Sequence, residues 1–303
     1  MPNWLLFVVP CCIWGSTWLV IKYQYGVVAP EVSVAYRFGF SALIMLAWCA
    51  ASRESLRFGL GVHRSLALLG ALQFALNYVF VYLAEQYLTS GLVAVVFALM
   101  VFWNLLGAHL LFGQTLAPRL IVGACCGLFG VALVFWPELA EVRGDMAQAK
   151  GLVLAVLGSL GASAGNLWSQ RLYAQGIRVL PCIAWSMLYG SISVALYCAA
   201  RGIPFNWDAS PGYQISMAYL SVFGSVVAFV GYLTLLKRIG AGRAGYTAAV
   251  IPLVAMVIST FFEDYAWTAP ALSGMALVLV GNVLVLWKRP EAEGAISRLK
   301  SSP

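Results

Sequence analysis

Long apolar runs, separated by short clusters of charge, proline and glycine, dominate the chain. Ten of them come close to the roughly 20 mostly apolar residues that a helix needs to cross the hydrocarbon of a bilayer. They are Trp4–Ile21, Val34–Ala51, Leu66–Leu83, Gly91–Phe112, Leu120–Trp136, Gly151–Gln170, Pro181–Ala200, Ile215–Leu236, Ala244–Phe262 and Ala271–Trp287. The pattern predicts an all-α integral membrane protein of ten transmembrane helices. The first run has no basic stretch before it and no small-residue cleavage site before Lys22, so it is expected to stay as the first helix.

Composition agrees with lipid as the solvent. The 303 residues are 62% hydrophobic and 10% charged, against about a quarter charged in a typical soluble domain, and mean hydropathy is +0.88. A net charge of +7 could point to nucleic acid. The Lys and Arg residues, however, stand singly between apolar runs and form no basic stripe, which excludes that partner. All seven cysteines lie in or beside apolar runs without a C-x-x-C pair. They read as small buried hydrophobes, with neither disulfide nor metal expected.

The charges are more telling as topology signals. With the N-terminus in the cytoplasm, 13 of the 18 Lys and Arg fall in cytoplasmic loops and tail, four on the opposite side, and Arg37 within the second span. That bias places both termini in the cytoplasm and requires an even number of spans.

A repeat is visible as well. At an offset of 151 residues Gly91 falls on Gly242, Gly123 on Gly274, Gly130 on Gly281 and Trp136 on Trp287. The chain therefore divides into a first five-helix repeat at 1–136, a polar linker at 137–150, a second repeat at 151–287 and a cytoplasmic tail at 288–303. Because five is odd, the second repeat is inverted relative to the first. Inverted repeats suit secondary transporters, in which exchanging the conformations of the halves turns an outward-open cavity into an inward-open one.

Several short motifs occur in a telling order: Trp14-Gly15-Ser16-Thr17, Arg37 early in the second span, Thr89-Ser90-Gly91-Leu92-Val93-Ala94 entering the fourth, Ile251-Pro252-Leu253 in the ninth, and the glycine-rich fifth and tenth spans. Together they resemble the EamA-type ten-helix carriers of the drug/metabolite transporter superfamily, and within it the YddG-type exporters of aromatic and other amino acids. The resemblance implies a multi-pass protein of a bacterial inner membrane. The sequence departs from the family pattern at Gln114, where an acidic residue is common, and near Val101, where a proline is common. The first span also lacks the glutamate of the small multidrug relatives.

None of the eleven carboxylates lies mid-span, which favours facilitative movement over obligatory proton exchange, with Glu85 at the end of the third span as the nearest exception. Arg37 is expected either to snorkel to the interface or to anchor the loop after the first span. Polar and aromatic residues inside the spans are the candidates for substrate binding: Thr17 and Trp18; Asn77, Tyr78 and Tyr82; Trp103 and Asn104; Ser163, Asn166 and Trp168; Tyr232; and Tyr246. The competing role for each is to bind helix to helix or to form an interfacial belt. The resemblance implies that their spans surround a central cavity, and rings with neutral hydrogen-bonding groups suit an amino acid. Pro10 and Pro252 are candidate hinges, since each removes a backbone hydrogen bond.

The sequence thus reads as a transporter of neutral amino acids, aromatic ones included, moving them outward by alternating access. It needs no cofactor, its partners are the small-molecule substrate and membrane lipid, and a monomer carrying both halves is sufficient. The alternatives are a proton-coupled exporter of drugs or other metabolites and, further off, a membrane-embedded enzyme. No H-E-x-x-H, phosphate loop or mid-span aspartate pair supports an enzyme or an ATP-driven pump.

Overall fold

A computed structural model describes residues 1–113, 118–134, 136, 146–239, 247–265 and 267–286, and among these there is no β-strand. The helices are α1 (Asn3–Lys22), α2 (Pro30–Ala51), α3 (Leu60–Ala84), α4 (Ser90–Phe97), α5 (Met100–Phe112), α6 (Pro118–Val134), α7 (Met146–Ala174), α8 (Val179–Ala200), α9 (Pro211–Tyr219 continuing to Ile239), α10 (Thr247–Phe262) and α11 (Ala269–Leu286). Among the described residues seven helical stretches are long and apolar enough to cross a membrane, one of them formed by α4 and α5 together. Ile121–Val134, Val250–Phe262 and Ala269–Leu284 are shorter apolar helices. Tyr246, Trp287, Gly242, residues 137–145 of the linker and the tail 288–303 lie outside the described residues.

Several helices run past the expected apolar runs. α2 starts at Pro30, α3 at Leu60 and α7 at Met146. An apolar run ends where the hydrocarbon ends, whereas the backbone ladder continues until a cap stops it. Pro30 opens α2 at a position where no N–H is needed. The stop of α2 is a left-handed Arg53 (φ 55°), with Glu54 N–H donating to the Cys49 carbonyl at 2.8 Å. Gly202 (φ 65°) ends α8 in the same way, Ile203 donating to Cys198 at 2.9 Å.

Two features of the helices carry no sequence signature. α3 and α9 each contain a π-helical segment, Ala71–Leu76 and Leu220–Val227. The expected fourth span is broken at residues 98–99 into α4 and α5, although no proline is there. Pro10 and Pro252 lie inside α1 and α10, and Gly231 on α9 leaves room for the Pro10 ring, which a Cβ would meet at 3.2 Å.

Packing joins early helices to late ones. α2 lies against α8, α1 against α9 and α10, α3 against α7 and α8, and α4 and α5 against α7. α6 and α11 form the most extensive pair and touch the rest through α4, α5 and α10. Their approach is backbone on backbone: a Cβ at Gly274 would stand 2.5 Å from the Gly130 carbonyl oxygen, and one at Gly281 2.5 Å from that of Gly123. Lipid supplies no hydrophobic drive between helices, so small residues that allow close contact are what hold such a pair.

Candidate functional site: the polar and aromatic interior

The interior is built around a chain of rings linking α1, α2, α3 and α9. Phe38 meets Tyr78 at 4.5 Å and Phe74 at 5.2 Å between ring centroids; Phe74 meets Phe229 at 5.8 Å; Trp14 meets Phe229 at 5.3 Å and Tyr232 at 5.4 Å. The Trp14 indole N–H donates to the Gly224 carbonyl at 3.1 Å, and Ser16 Oγ lies 2.8 Å from the Tyr219 hydroxyl. Both contacts tie α1 to the π-helical neighbourhood of α9.

Arg37 stands at the centre of this group and is only 1% exposed, so it does not snorkel. Its Nε donates to Ser225 Oγ at 3.2 Å and its Nη1 to the Tyr82 hydroxyl at 3.4 Å. The guanidinium lies over the Tyr78 ring at 4.8 Å and the Phe38 ring at 5.2 Å. Tyr82 in turn donates to Gln24 Oε1 at 2.9 Å, and so the second expectation holds indirectly: Arg37 steadies the segment after α1 through Tyr82. Among the described residues no carboxylate pairs with Arg37. Ring faces and hydroxyls offset the desolvation of its charge.

A second polar seam runs between α3, α5 and α7. The Trp103 indole donates to Ser159 Oγ at 3.0 Å, and Asn166 Nδ2 lies 3.4 Å from Met100 Sδ. Gly161 lets α7 approach Asn77, whose backbone a Cβ there would meet at 3.2 Å. Asn77 donates to the Gln73 carbonyl at 3.1 Å, while Asn77 Oδ1, Gln73 Oε1 and Asn104 Oδ1 are buried without a hydrogen-bond partner. Acceptors left unsatisfied in a buried seam are costly unless a ligand or water supplies the donor. The Trp18 indole N–H is likewise buried and unpartnered, its ring against Phe97 at 5.2 Å.

Of the sequence candidates, then, Trp18, Asn77, Tyr78, Tyr82, Trp103, Asn166 and Tyr232 carry contacts of this interior, Asn104 contributes an unpartnered buried oxygen, and Ser163 is buried on the same helix as Asn166. Thr17 is buried with its hydroxyl turned back on the Trp14 carbonyl at 2.8 Å. Trp168 is set apart: it donates to the Ser65 carbonyl at 3.0 Å and packs with Leu66, Leu69, Leu172 and Cys182 near the start of α3. Sequence reasoning missed Phe38, Phe74, Phe229 and Ser225, and it read Arg37 as peripheral. An apolar open groove on α6 and α11, beside Ile121, Cys125, Phe129 and Leu277, presents an apolar lining and is not a candidate.

A compact ionic cluster ties helix ends together around Lys22. Lys22 Nζ donates to the carbonyls of Glu85 and, at 2.7 Å, Leu88, and lies 3.7 Å from Glu263 Oε1. Glu263 accepts from the Ser90 N–H at 3.0 Å and from the Ser90 hydroxyl, thereby capping α4 from a different part of the chain. One lysine and one glutamate thus fasten α1, the segment 85–88, α4 and the end of α10 together.

A bundle of membrane-length apolar helices enclosing a polar, ring-lined interior is the architecture of a multi-pass membrane transporter. The chain belongs to the EamA-like transporter family, which it matches twice, over residues 2–136 and again over 149–287. It is 27% identical over 282 residues to the Escherichia coli protein named uncharacterized inner membrane transporter YedA, covering 88% of this chain and 87% of that one. It is 23% identical over 295 residues to an Escherichia coli protein named probable amino-acid metabolite efflux pump, covering 93% and 95%. An uncharacterized transporter of Archaeoglobus fulgidus is 22% identical over 295 residues, 95% of this chain and 100% of its own. A solved crystal structure that is 19% identical superposes over 98% of both chains with a TM-score of 0.68, a likeness of fold.

Proposed function

We propose that this protein is a carrier of neutral amino acids, aromatic ones included, that moves them outward across the inner membrane down their gradient by alternating access. The observation that carries the reading is the interior itself: a cluster of rings on α1, α2, α3 and α9 and, sharing α3 with it, a seam of buried amide oxygens that lack donors. An amino acid brings an ammonium donor for such acceptors and an apolar side chain for the rings. The name of the 23% identical Escherichia coli relative fits the same substrate class.

The architecture we infer has ten spans, both termini in the cytoplasm, and two inverted five-helix halves at 1–136 and 151–287. Three observations support it: the two separate family matches, the charge bias of the loops, and a π-helical segment in the third helix of each half. Pro10 and Pro252 are proposed as the points about which α1 and α10 bend. A monomer suffices, with lipid and solute as its only partners.

The test is uptake of labelled aromatic and aliphatic amino acids by the purified protein in liposomes, with and without a pH gradient. Saturable uptake that a gradient does not drive is expected. Uptake that never saturates would indicate a channel, and uptake driven by the gradient would favour the proton-coupled exporter. A chemical product without vectorial flux would indicate an enzyme. Absence of uptake for every amino acid would remove the substrate assignment and turn attention to other metabolites and drugs.

A further inference from the structure

One titratable group is not used by that reading. Glu85 lies in the short connection between α3 and α4, yet it is only 1% exposed, and neither of its carboxyl oxygens has a hydrogen-bond partner. The charged and titratable groups nearest it are engaged elsewhere. From α1, the Lys22 ammonium is held by two backbone carbonyls and Glu263. From the segment after α1, the Tyr25 hydroxyl donates to the Tyr82 carbonyl at 2.6 Å, and Gln24 accepts from Tyr82. From α2, Arg37 is engaged with Ser225 and Tyr82, and from beyond α10, Glu263 caps α4. An ionised carboxylate without a single donor is among the most expensive groups a buried site can hold; the neutral acid avoids most of that cost.

We propose that Glu85 is a proton-binding site: in this arrangement its carboxyl holds a proton, and loss of that proton releases Lys22 from the Lys22–Glu263–Ser90 latch. With Glu85 neutral, Lys22 and Glu263 pair across 3.7 Å; with Glu85 ionised, two carboxylates face the Lys22 ammonium while Arg37 stays bonded to Ser225 and Tyr82. Burial lifts the Glu85 carboxyl well above the ordinary carboxylate range, Lys22 and Arg37 pulling it down and Glu263 pushing it up. The proton is therefore kept at a pH where an exposed glutamate, with a pKa of about 4.3, has lost its own. Above that range the new carboxylate needs a donor, and the ammonium already bonded to the Glu85 carbonyl is within reach. Turning Lys22 to it withdraws the lysine from Leu88 and Glu263, which loosens α1 from α4 and α10. The proton sets when this end opens, and it need not itself be carried across.

The test uses the full-length purified protein with no solute, so it stands or falls separately from the amino-acid assignment. Infrared spectra across pH are expected to show a protonated-carboxyl C=O band at neutral pH in the wild type, fading as pH rises. Over the same range, amide exchange of residues 86–93, corrected for its intrinsic pH dependence, is expected to accelerate with a slope approaching tenfold per pH unit, the limit for one proton. Glu85→Gln, which mimics the neutral acid, removes the band and keeps the segment protected at every pH. Glu263→Gln keeps the band and leaves the segment unprotected throughout. No acid band at neutral pH in the folded wild type overturns the proposal, and this outcome needs no variant. A band that survives Glu85→Gln, or an unchanged pH dependence of exchange in that variant, overturns it equally.

Discussion

Arg37 illustrates how a single side chain organises this interior. Moving a guanidinium into a bundle costs several kcal/mol, and here rings and hydroxyls offset that cost without a carboxylate. Tyr82→Phe removes an acceptor from Arg37 and the donor from Gln24, leaving a buried amide oxygen unsatisfied, and is expected to cost about 1–3 kcal/mol. Arg37→Lys is expected to cost more, because a compact ammonium cannot reach Ser225 and Tyr82 while lying over the Tyr78 ring. Thermal unfolding in detergent ranks the two, and a wild-type midpoint for Arg37→Lys would refute the role given to the guanidinium. The residues legible in the sequence were those whose polarity is out of place in an apolar run, such as Asn77, Tyr82, Trp103 and Asn166. Phe38 and Phe74 were not, since nothing in their type separates them from Phe261 and Phe262, which are largely exposed. The same logic explains Trp168, a polar ring at helical spacing whose N–H serves the start of α3 and not the centre.

Among the elements, the α6–α11 pair makes the sharpest prediction. A Cβ added at Gly274 or Gly281 meets backbone at 2.5 Å, whereas one at Gly127 meets only the Leu99 Cδ2 atom, at 4.0 Å. Backbone cannot swing aside as a side-chain tip can. Gly274→Ala and Gly281→Ala are each expected to cost about 1–3 kcal/mol, and Gly127→Ala no more than about 0.5 kcal/mol. Unfolding midpoints compared under one detergent condition check this, with equal effects at the three positions as the contrary result. The offset of 151 had already related Gly123 to Gly274 and Gly130 to Gly281. The π-helical turns of α3 and α9 and the break between α4 and α5 had no such sign. Local composition does not record such single-turn departures from the α-helix.

On the scale of the whole molecule, the division at 137–150 separates two stretches of sequence but not two bodies. The principal contacts pair α2 with α8, α6 with α11, α1 with α9 and α10, and α3 with α7, so that nearly every helix of residues 1–136 leans on one of residues 151–287. The apolar runs and the offset of 151 carry no sign of this interleaving, because partners more than a hundred residues apart leave no mark on local spacing. The arrangement predicts that the covalent link is dispensable once the halves have met. The link raises the effective concentration of one half about the other, which matters for encounter and far less for an interface this extensive. Two chains produced together, split within residues 137–145, are therefore expected to purify as one complex through a tag on either and to retain whatever transport the intact protein shows in liposomes. Each alone would bury little of its polar interior: Arg37 would lose Ser225, Trp103 would lose Ser159, and Ser90 would lose Glu263. A tagged first half that purifies alone as a stable particle would contradict the interleaved assembly, whatever solute the intact protein carries.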